Sequence, residues 1–389
     1  MKINMKSNLK PLKNCIFPGM AKTLFLLSIL YVFISYCNIN KKNCDVTDSG
    51  CNSMGNFILQ ALLFPNRGPL TVTIQPWINA ISLSWTKVDS ATGYKVYRKI
   101  SENVSTSDKE ITGGFTTGTT ISENGITGGE KRYYRVSALI NGIESSLSKE
   151  VSATAIVTPN DISPSKIAFW YKADSLTLGD GASVASWSDS GSFANTLTQG
   201  TPANQPVFKT NQLNGYPVVR FDGVNDEMLK TGGTGFASST NKIIFLVLKR
   251  VQIIDTALFI IGNNWRGVFG YFYHFAAGKS GVLEYCVTAS QFPNTNPNLL
   301  AQSYGPSIGN PISCYTNGKL DGEVGNTNPL TYGPFDIYIG SLNGIQWSSV
   351  DIAEIIYYDG VALTQSQRES IDCYLATKYA LALNHTCVY

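Results

Sequence analysis

Histidine is almost absent from this 389-residue chain, which has two, His274 and His385. Neither stands in a recognisable catalytic motif. His274 sits in the aromatic run Tyr271-Phe272-Tyr273-His274-Phe275 and reads as a core or sheet-surface residue; His385, beside Cys387 near the chain end, reads as solvated. A Gly-x-Ser-x-Gly elbow, a phosphate loop and a dinucleotide fingerprint are missing too, which removes the common routes to nucleophilic hydrolysis and nucleotide chemistry. Charge is scarce, at 15% of residues. The first 36 residues hold five lysines (Lys2, Lys6, Lys10, Lys13 and Lys22) and no acidic residue. Without them the chain has 25 basic against 27 acidic side chains, and its formal net charge moves from +3 to −2. No basic excess remains to neutralise phosphates, so nucleic acid is not an expected partner. The apolar run Thr23–Ile34 is short as well: a helix needs about 20 residues to cross a hydrocarbon core of about 30 Å.

That run does fit the centre of a secretory signal, with the lysines as its charged front. It ends at Ile34-Ser35-Tyr36-Cys37, which resembles the lipobox of bacterial lipoproteins, although Tyr36 stands where that family has a small residue. The resemblance implies cleavage before Cys37, a lipid on Cys37 and attachment to a membrane of the bacterial envelope. A plain secretory signal is the alternative; both export the chain. Met1, Met5 and Met20 are all candidate starts. Residues 1–36 are read as the signal and 37–67 as a tether. Within the tether, Phe57–Phe64 is an apolar run too short to span a bilayer.

About 350 residues remain, more than one core usually holds, so two domains are expected. Low charge, 35 glycines and abundant Tyr, Ser, Thr and Asn point to an all-β exported protein with many turns. Beyond Cys15 in the signal and Cys37, six cysteines remain: Cys44, Cys51, Cys286, Cys314, Cys373 and Cys387. An even number in an oxidising compartment suggests disulfides, with fifteen pairings open. Proximity favours Cys44–Cys51 and Cys373–Cys387, leaving Cys286 with Cys314. Their spacings do not match zinc sites.

Residues 68–157 alternate as half-buried strands do, with Ile81, Leu83 and Trp85 on one face and Ser82, Ser84 and Thr86 on the other. Leu83-Ser84-Trp85, Gly93-Tyr94-Lys95-Val96-Tyr97-Arg98 and Tyr133-Tyr134-Arg135-Val136-Ser137-Ala138 resemble a fibronectin type III domain. The resemblance implies that the Trp and Tyr fill a core between two sheets. Arg132 occupies the place of that family's corner tyrosine. Thr158–Pro164 reads as a Pro-punctuated linker between two units, each with its own apolar pattern.

Residues 158–389 continue the β pattern. Ile243–Leu248 is a continuous apolar run, expected of a strand covered on both faces, and Asn317-Gly318 marks a hairpin. A helix is predicted from Thr364, with Gln367 completing a capping box and Ile371, Leu375 and Tyr379 on one face. Three stretches resemble the concanavalin A-like, laminin G-like jelly roll: Phe169–Asp174 with Trp187–Gly191, Asn214–Gly223, and Ile352–Asp359 leading into the helix. The resemblance implies two curved antiparallel sheets and the binding of carbohydrate or protein, with a minority of members cleaving glycans.

Retaining glycoside hydrolysis needs two carboxyl groups about 5 Å apart. The Glu-x-Asp strand of the superfamily's glucanases is missing; Asp321-Gly322-Glu323 is the nearest candidate and reads as a solvated hairpin edge. Glu354, inside an otherwise apolar strand, is a candidate ligand-binding carboxylate or a tie for neighbouring backbone. Asp222, Asn225 and Asp226 form an oxygen-rich turn that offers Ca²⁺ three of the six to eight oxygens it takes. Trp265, Tyr304 and Trp347, in Gly/Asn/Ser-rich loops, are candidates for stacking on sugars. The expectation is a non-enzymatic, lipid-anchored surface protein that binds a glycan or an extracellular protein. A glycan-cleaving enzyme and a structural envelope protein are the alternatives.

Overall fold

The computed structural model describes residues 70–388, apart from short stretches at 238–239, 253–256, 264–265, 272–273, 280–281, 288–294, 306, 308 and 328–334. Between 263 and 287 it describes the backbone, with Cys286 as the exception for side chains. Cys37, Cys44, Cys51, Trp265, the signal and the tether lie outside the described residues. Among the described residues no helix is long and apolar enough to cross a membrane.

The first module is built from β1 (Val72–Trp77), β2 (Ala80–Trp85), β3 (Gly93–Lys99), β4 (Lys109–Glu110), β5 (Thr120–Asn124), β6 (Lys131–Ile140), β7 (Ile143–Glu144) and β8 (Val151–Thr154). One sheet runs β1-β2-β5; the other runs β4-β3-β6-β7, with β8 also paired to β6. The two-residue period sends Ile81, Leu83, Trp85, Tyr94, Val96, Tyr134, Val136 and Ala138 into the core between them. Trp85 meets Tyr94 edge-on at 5.5 Å. Glu123 ties the sheets together: it accepts from the Tyr134 hydroxyl at 2.7 Å and pairs with Arg98 at 2.9 Å. Arg132 pairs with Glu130.

The linker is an ordered turn. Thr158 heads the short helix α1 (Pro159–Ile162), and the Asp161 carboxylate accepts from the Thr158 N–H at 2.8 Å and its hydroxyl at 2.6 Å. Ile156 and Ile78 of the first module join an apolar cluster of the second, and the Tyr358 hydroxyl donates to the Pro159 carbonyl at 2.8 Å. Pro69–Tyr389 is accordingly one compact unit. The linker's prolines were readable in the sequence; the apolar contact that closes the junction was not.

The second module begins with β9 (Ile167–Lys172), β10 (Ser186–Trp187), β11 (Leu197–Thr198), β12 (Val207–Leu213), β13 (Tyr216–Asp222), β14 (Met228–Gly233), β15 (Lys242–Arg250) and β16 (Ala257–Asn263). It continues with β17 (Arg266–Tyr271), β18 (His274–Lys279), β19 (Val282–Val287), β20 (Pro297–Tyr304), β21 (Pro311–Thr316), β22 (Lys319–Gly325), β23 (Phe335–Ile339), β24 (Ser349–Asp359) and the helix α2 (Gln365–Tyr379). One antiparallel sheet has the order β12-β13-β24-β15-β20-β21-β22, with β9 also on β24; the other has the order β10-β11-β14-β23-β16-β17-β18-β19.

β15 shows how the first of these sheets is covered twice. Ile244, Leu246 and Leu248 face the core between the sheets, and Ile243, Phe245 and Val247 face the cluster beneath α2. That helix starts as its sequence predicts: Thr364 Oγ1 accepts from the Gln367 N–H at 3.2 Å, and Gln367 Oε1 accepts from the Thr364 N–H at 2.9 Å. Its Ile371, Leu375 and Tyr379 complete the cluster. Asp189 holds the entry strands, accepting backbone N–H bonds from Trp170, Gly191 and Asn195 at 2.6–2.8 Å. Cys286 on β19 and Cys314 on β21 join the two sheets by a disulfide, and Cys373–Cys387 fastens the tail to α2.

Candidate ligand-binding face

The second sheet packs one face against the first, and among the described residues its other face is part buried and part accessible. Along β23, Phe335, Ile337 and Ile339 point into the core, so Asp336 and Tyr338 stand on the opposite face. Tyr338 pairs with Leu229 on β14 and with Ile260 on β16, which makes a continuous line across three strands. Backbone register continues that line through Phe269, Ala276 and Tyr285.

A loop over residues 340–348 walls one end of this face. Gly340, at φ 87°, lies against Phe221 so closely that a Cβ would come within 2.2 Å of the ring, and only glycine fits. Leu342 and Ile345 close a tight turn through Leu342 N–H to Ile345 O at 2.8 Å. Leu342 then packs with Ala257, Ile260 and Tyr338. Glu227 pins the turn, accepting from Ser341 Oγ at 2.5 Å and Gly344 N at 3.0 Å. Ile345 is left 47% exposed at the rim, and Trp347 is half-buried in the same loop. Burial raises the Tyr338 phenol, and the charges of Asp336 and Glu227 raise it further, so it stays a neutral hydroxyl. The face therefore offers the half-buried Leu229 and Tyr338 with the Asp336 carboxylate on the same strand as the phenol, while Ile260 is closed over by Leu342; a phenol beside an apolar side chain suits a ligand with flat apolar faces and hydroxyls. β-Alternation could have indicated Tyr338 and Asp336, but their neighbours come from strands distant in sequence.

The other sequence candidates fall elsewhere. Tyr304 is not a loop aromatic: it ends β20 at 2% exposure, on the same inward face as Leu300. Glu354 is not a ligand contact either. A bulge in β24 between its Ile352 and Glu354 pairings with β15 puts Ala353 and Glu354 together on the helix side, and Glu354 is 1% exposed. There it accepts from Trp170 Nε1 at 2.6 Å, the Tyr374 hydroxyl at 3.0 Å, Lys378 Nζ at 2.9 Å and the Tyr379 hydroxyl at 2.8 Å. Burial works to lower the Lys378 ammonium, but Glu354 and then Asp174 outweigh it, and its pKa is raised. This network locks α2 to the sheet.

Asp222, Asn225 and Asp226 close their own turn. Asp222 Oδ1 accepts N–H bonds from Val224, Asn225 and Asp226, and Asp226 Oδ2 accepts from the Asp222 N–H at 2.8 Å. Asp321 and Glu323 lie on β22 at the end of its sheet, where Glu323 accepts from Ser313 Oγ at 2.8 Å. His274 opens β18, and His385 is tucked beside α2, facing Asp372.

The chain is thus an all-β protein: a small β-sandwich followed by a larger one of two antiparallel sheets, with one C-terminal helix. Neither the protein-family models nor the curated proteins give a match. Among solved structures it is similar to a Fn3-like protein from Clostridium thermocellum, at 25% identity over 22% of this chain and 92% of that one, with a TM-score of 0.19. It is also similar to domain 4 of AbnA, a GH43 extracellular arabinanase from Geobacillus stearothermophilus, in complex with arabinotriose. That match has 19% identity over 53% of this chain and 97% of that one, with a TM-score of 0.35. The botulinum neurotoxin serotype D binding domain matches at 8% identity over 55% of this chain, with a TM-score of 0.39. The chain spans about half the length of that structure.

Proposed function

We propose that this is an exported surface protein, anchored by a lipid on Cys37, whose second module binds a glycan on the open face around Tyr338. The observation that carries the binding reading is the Leu229–Tyr338–Ile260 line beneath a loop pinned by Glu227. Apolar area and hydroxyl partners are positioned before any ligand arrives, which lowers the ordering cost of binding. The reading assigns no catalysis and no cofactor, and the first module serves to hold the second away from the membrane. Export is supported by the signal-like segment and by disulfides, which persist in oxidising compartments.

The test is an array of glycans and matrix proteins probed with the purified protein, followed by titration of the best ligand. Glycan binding that drops at least tenfold in Tyr338→Ala and in Ile345→Asp supports the reading. A ligand whose affinity ignores both changes overturns the site, and a purely protein ligand overturns the substrate class. For the anchor, Cys37→Ser should abolish labelling with a fatty acid and release the protein from membranes.

A further inference from the structure

The C-terminal tail folds back on α2 and brings together three side chains that are scattered in sequence. Both Sγ atoms of Cys373 and Cys387 and a ring nitrogen of His385 lie within 4.8 Å of one another. The imidazole is held from behind. Its Nε2 faces Asp372 Oδ2 at 3.4 Å, and Asp372, 1% exposed, is itself fixed by Arg368 at 2.7 Å. Gly318 backs the ring, since a Cβ there would come within 2.4 Å of Cδ2. His385 Nδ1 is closed off from solvent and has no hydrogen-bond partner. A carboxylate on one imidazole nitrogen, the other nitrogen unpartnered and two sulfurs close to the ring make the arrangement in which an outer carboxylate orients a metal-binding histidine. A cavity of about 150 Å³ opens beside Cys373, lined by Glu369, Ser370 and Thr386 and by Ile156 of the first module.

We propose that, once the Cys373–Cys387 bond is reduced, Cys373, Cys387 and His385 Nδ1 bind one soft divalent cation, with Zn²⁺ the best match to two thiolates and an imidazole. Reduction takes two electrons and two protons from a dithiol, which leaves as its own disulfide. The two thiols then release those protons as they ligate the ion. The tail is held to α2 by a covalent bond in one redox state and by a metal cross-link in the other. Asp372 is a positioning residue, since it acts through the imidazole.

The full-length protein, oxidised or reduced with a phosphine that is then removed anaerobically, is titrated with Co²⁺ and then Zn²⁺. The reduced protein should take up one equivalent of Co²⁺ at this site with a thiolate-to-cobalt charge-transfer band, lose it to Zn²⁺, and the oxidised protein should show none from this pair. The band should survive Cys286→Ser/Cys314→Ser and disappear in Cys373→Ser/Cys387→Ser. Asp372→Asn should weaken Zn²⁺ by roughly 10- to 100-fold. On the unaltered reduced protein, Zn²⁺ should also shield Cys373 and Cys387 from iodoacetamide, read by peptide mapping. A band that survives Cys373→Ser/Cys387→Ser, or alkylation of both cysteines at an unchanged rate with Zn²⁺ present, overturns the proposal.

Discussion

The two sheets of the second module are built from the same strand chemistry but are treated differently by their surroundings. The sheet containing β15 and β24 is buried on both faces at these central strands, one by the opposite sheet and one by α2, so even a charged residue such as Glu354 is consumed by internal partners. In the sheet containing β23, the outward residues Asp336 and Tyr338 remain partly accessible. The polar residue of the doubly covered strand is thus held by internal partners, whereas Tyr338 on the neighbouring sheet keeps part of its surface accessible.

The largest effect expected from this contrast is at Glu354. Glu354→Ala leaves Lys378, two tyrosine hydroxyls and an indole N–H without their shared acceptor, and breaking a buried pair in this way costs about 3–5 kcal/mol. Asp336→Ala, on the open face, should cost less than about 1 kcal/mol. Urea denaturation of both variants measures the difference, and equal losses would break the comparison. Next comes the tail on the covered side: Cys373→Ala/Cys387→Ala opens a loop of about 15 residues and should cost about 3 kcal/mol in the chain-entropy model.

Asp226 provides a pH-dependent effect. Burial raises its carboxyl from 3.8 to about 6; the Asp222 N–H opposes this and the Asp222 charge adds to it. Because the folded value lies above the unfolded one, the folded state binds more protons between pH 4 and 6. The group's contribution to stability therefore falls as pH rises through that window and stays low above it. Asp226→Asn keeps an oxygen for the Asp222 N–H, so it should stabilise at pH 7, by at most about 3 kcal/mol, and flatten the pH profile. Thermal melts from pH 4 to 8 would test the sign. At Tyr338 the stability and binding effects should separate. Tyr338→Ala removes a half-buried ring packed against Leu342 and Ile260, so it should cost less than Glu354→Ala while removing glycan affinity, and a variant that unfolds instead would make this face part of the core.

Much of this was legible locally. The uninterrupted Ile243–Leu248 run implied a strand covered twice, Thr364 with Gln367 implied the start of α2, and alternation around Trp85, Tyr94 and Val136 implied half-buried strands, because each depends on neighbours a few residues apart. The site was less legible. Tyr304 sits among Gly, Asn and Ser yet turns inward, because its i+4 relation to Leu300 outweighs the local composition. Glu354 was visible as unusual, but its partner Trp170 is 184 residues away, and the β24 bulge that aims it leaves no mark in the sequence.

By itself the sequence determined the strand period, the capped helix and the all-β class, since these follow from periodicity and composition. Only the tertiary structure decided which side chains a second layer covers, which carboxylate is locked away, and that His385 meets Cys373 and Cys387. Those outcomes depend on strand order and on which distant segments close over each face, and local sequence preferences do not encode them.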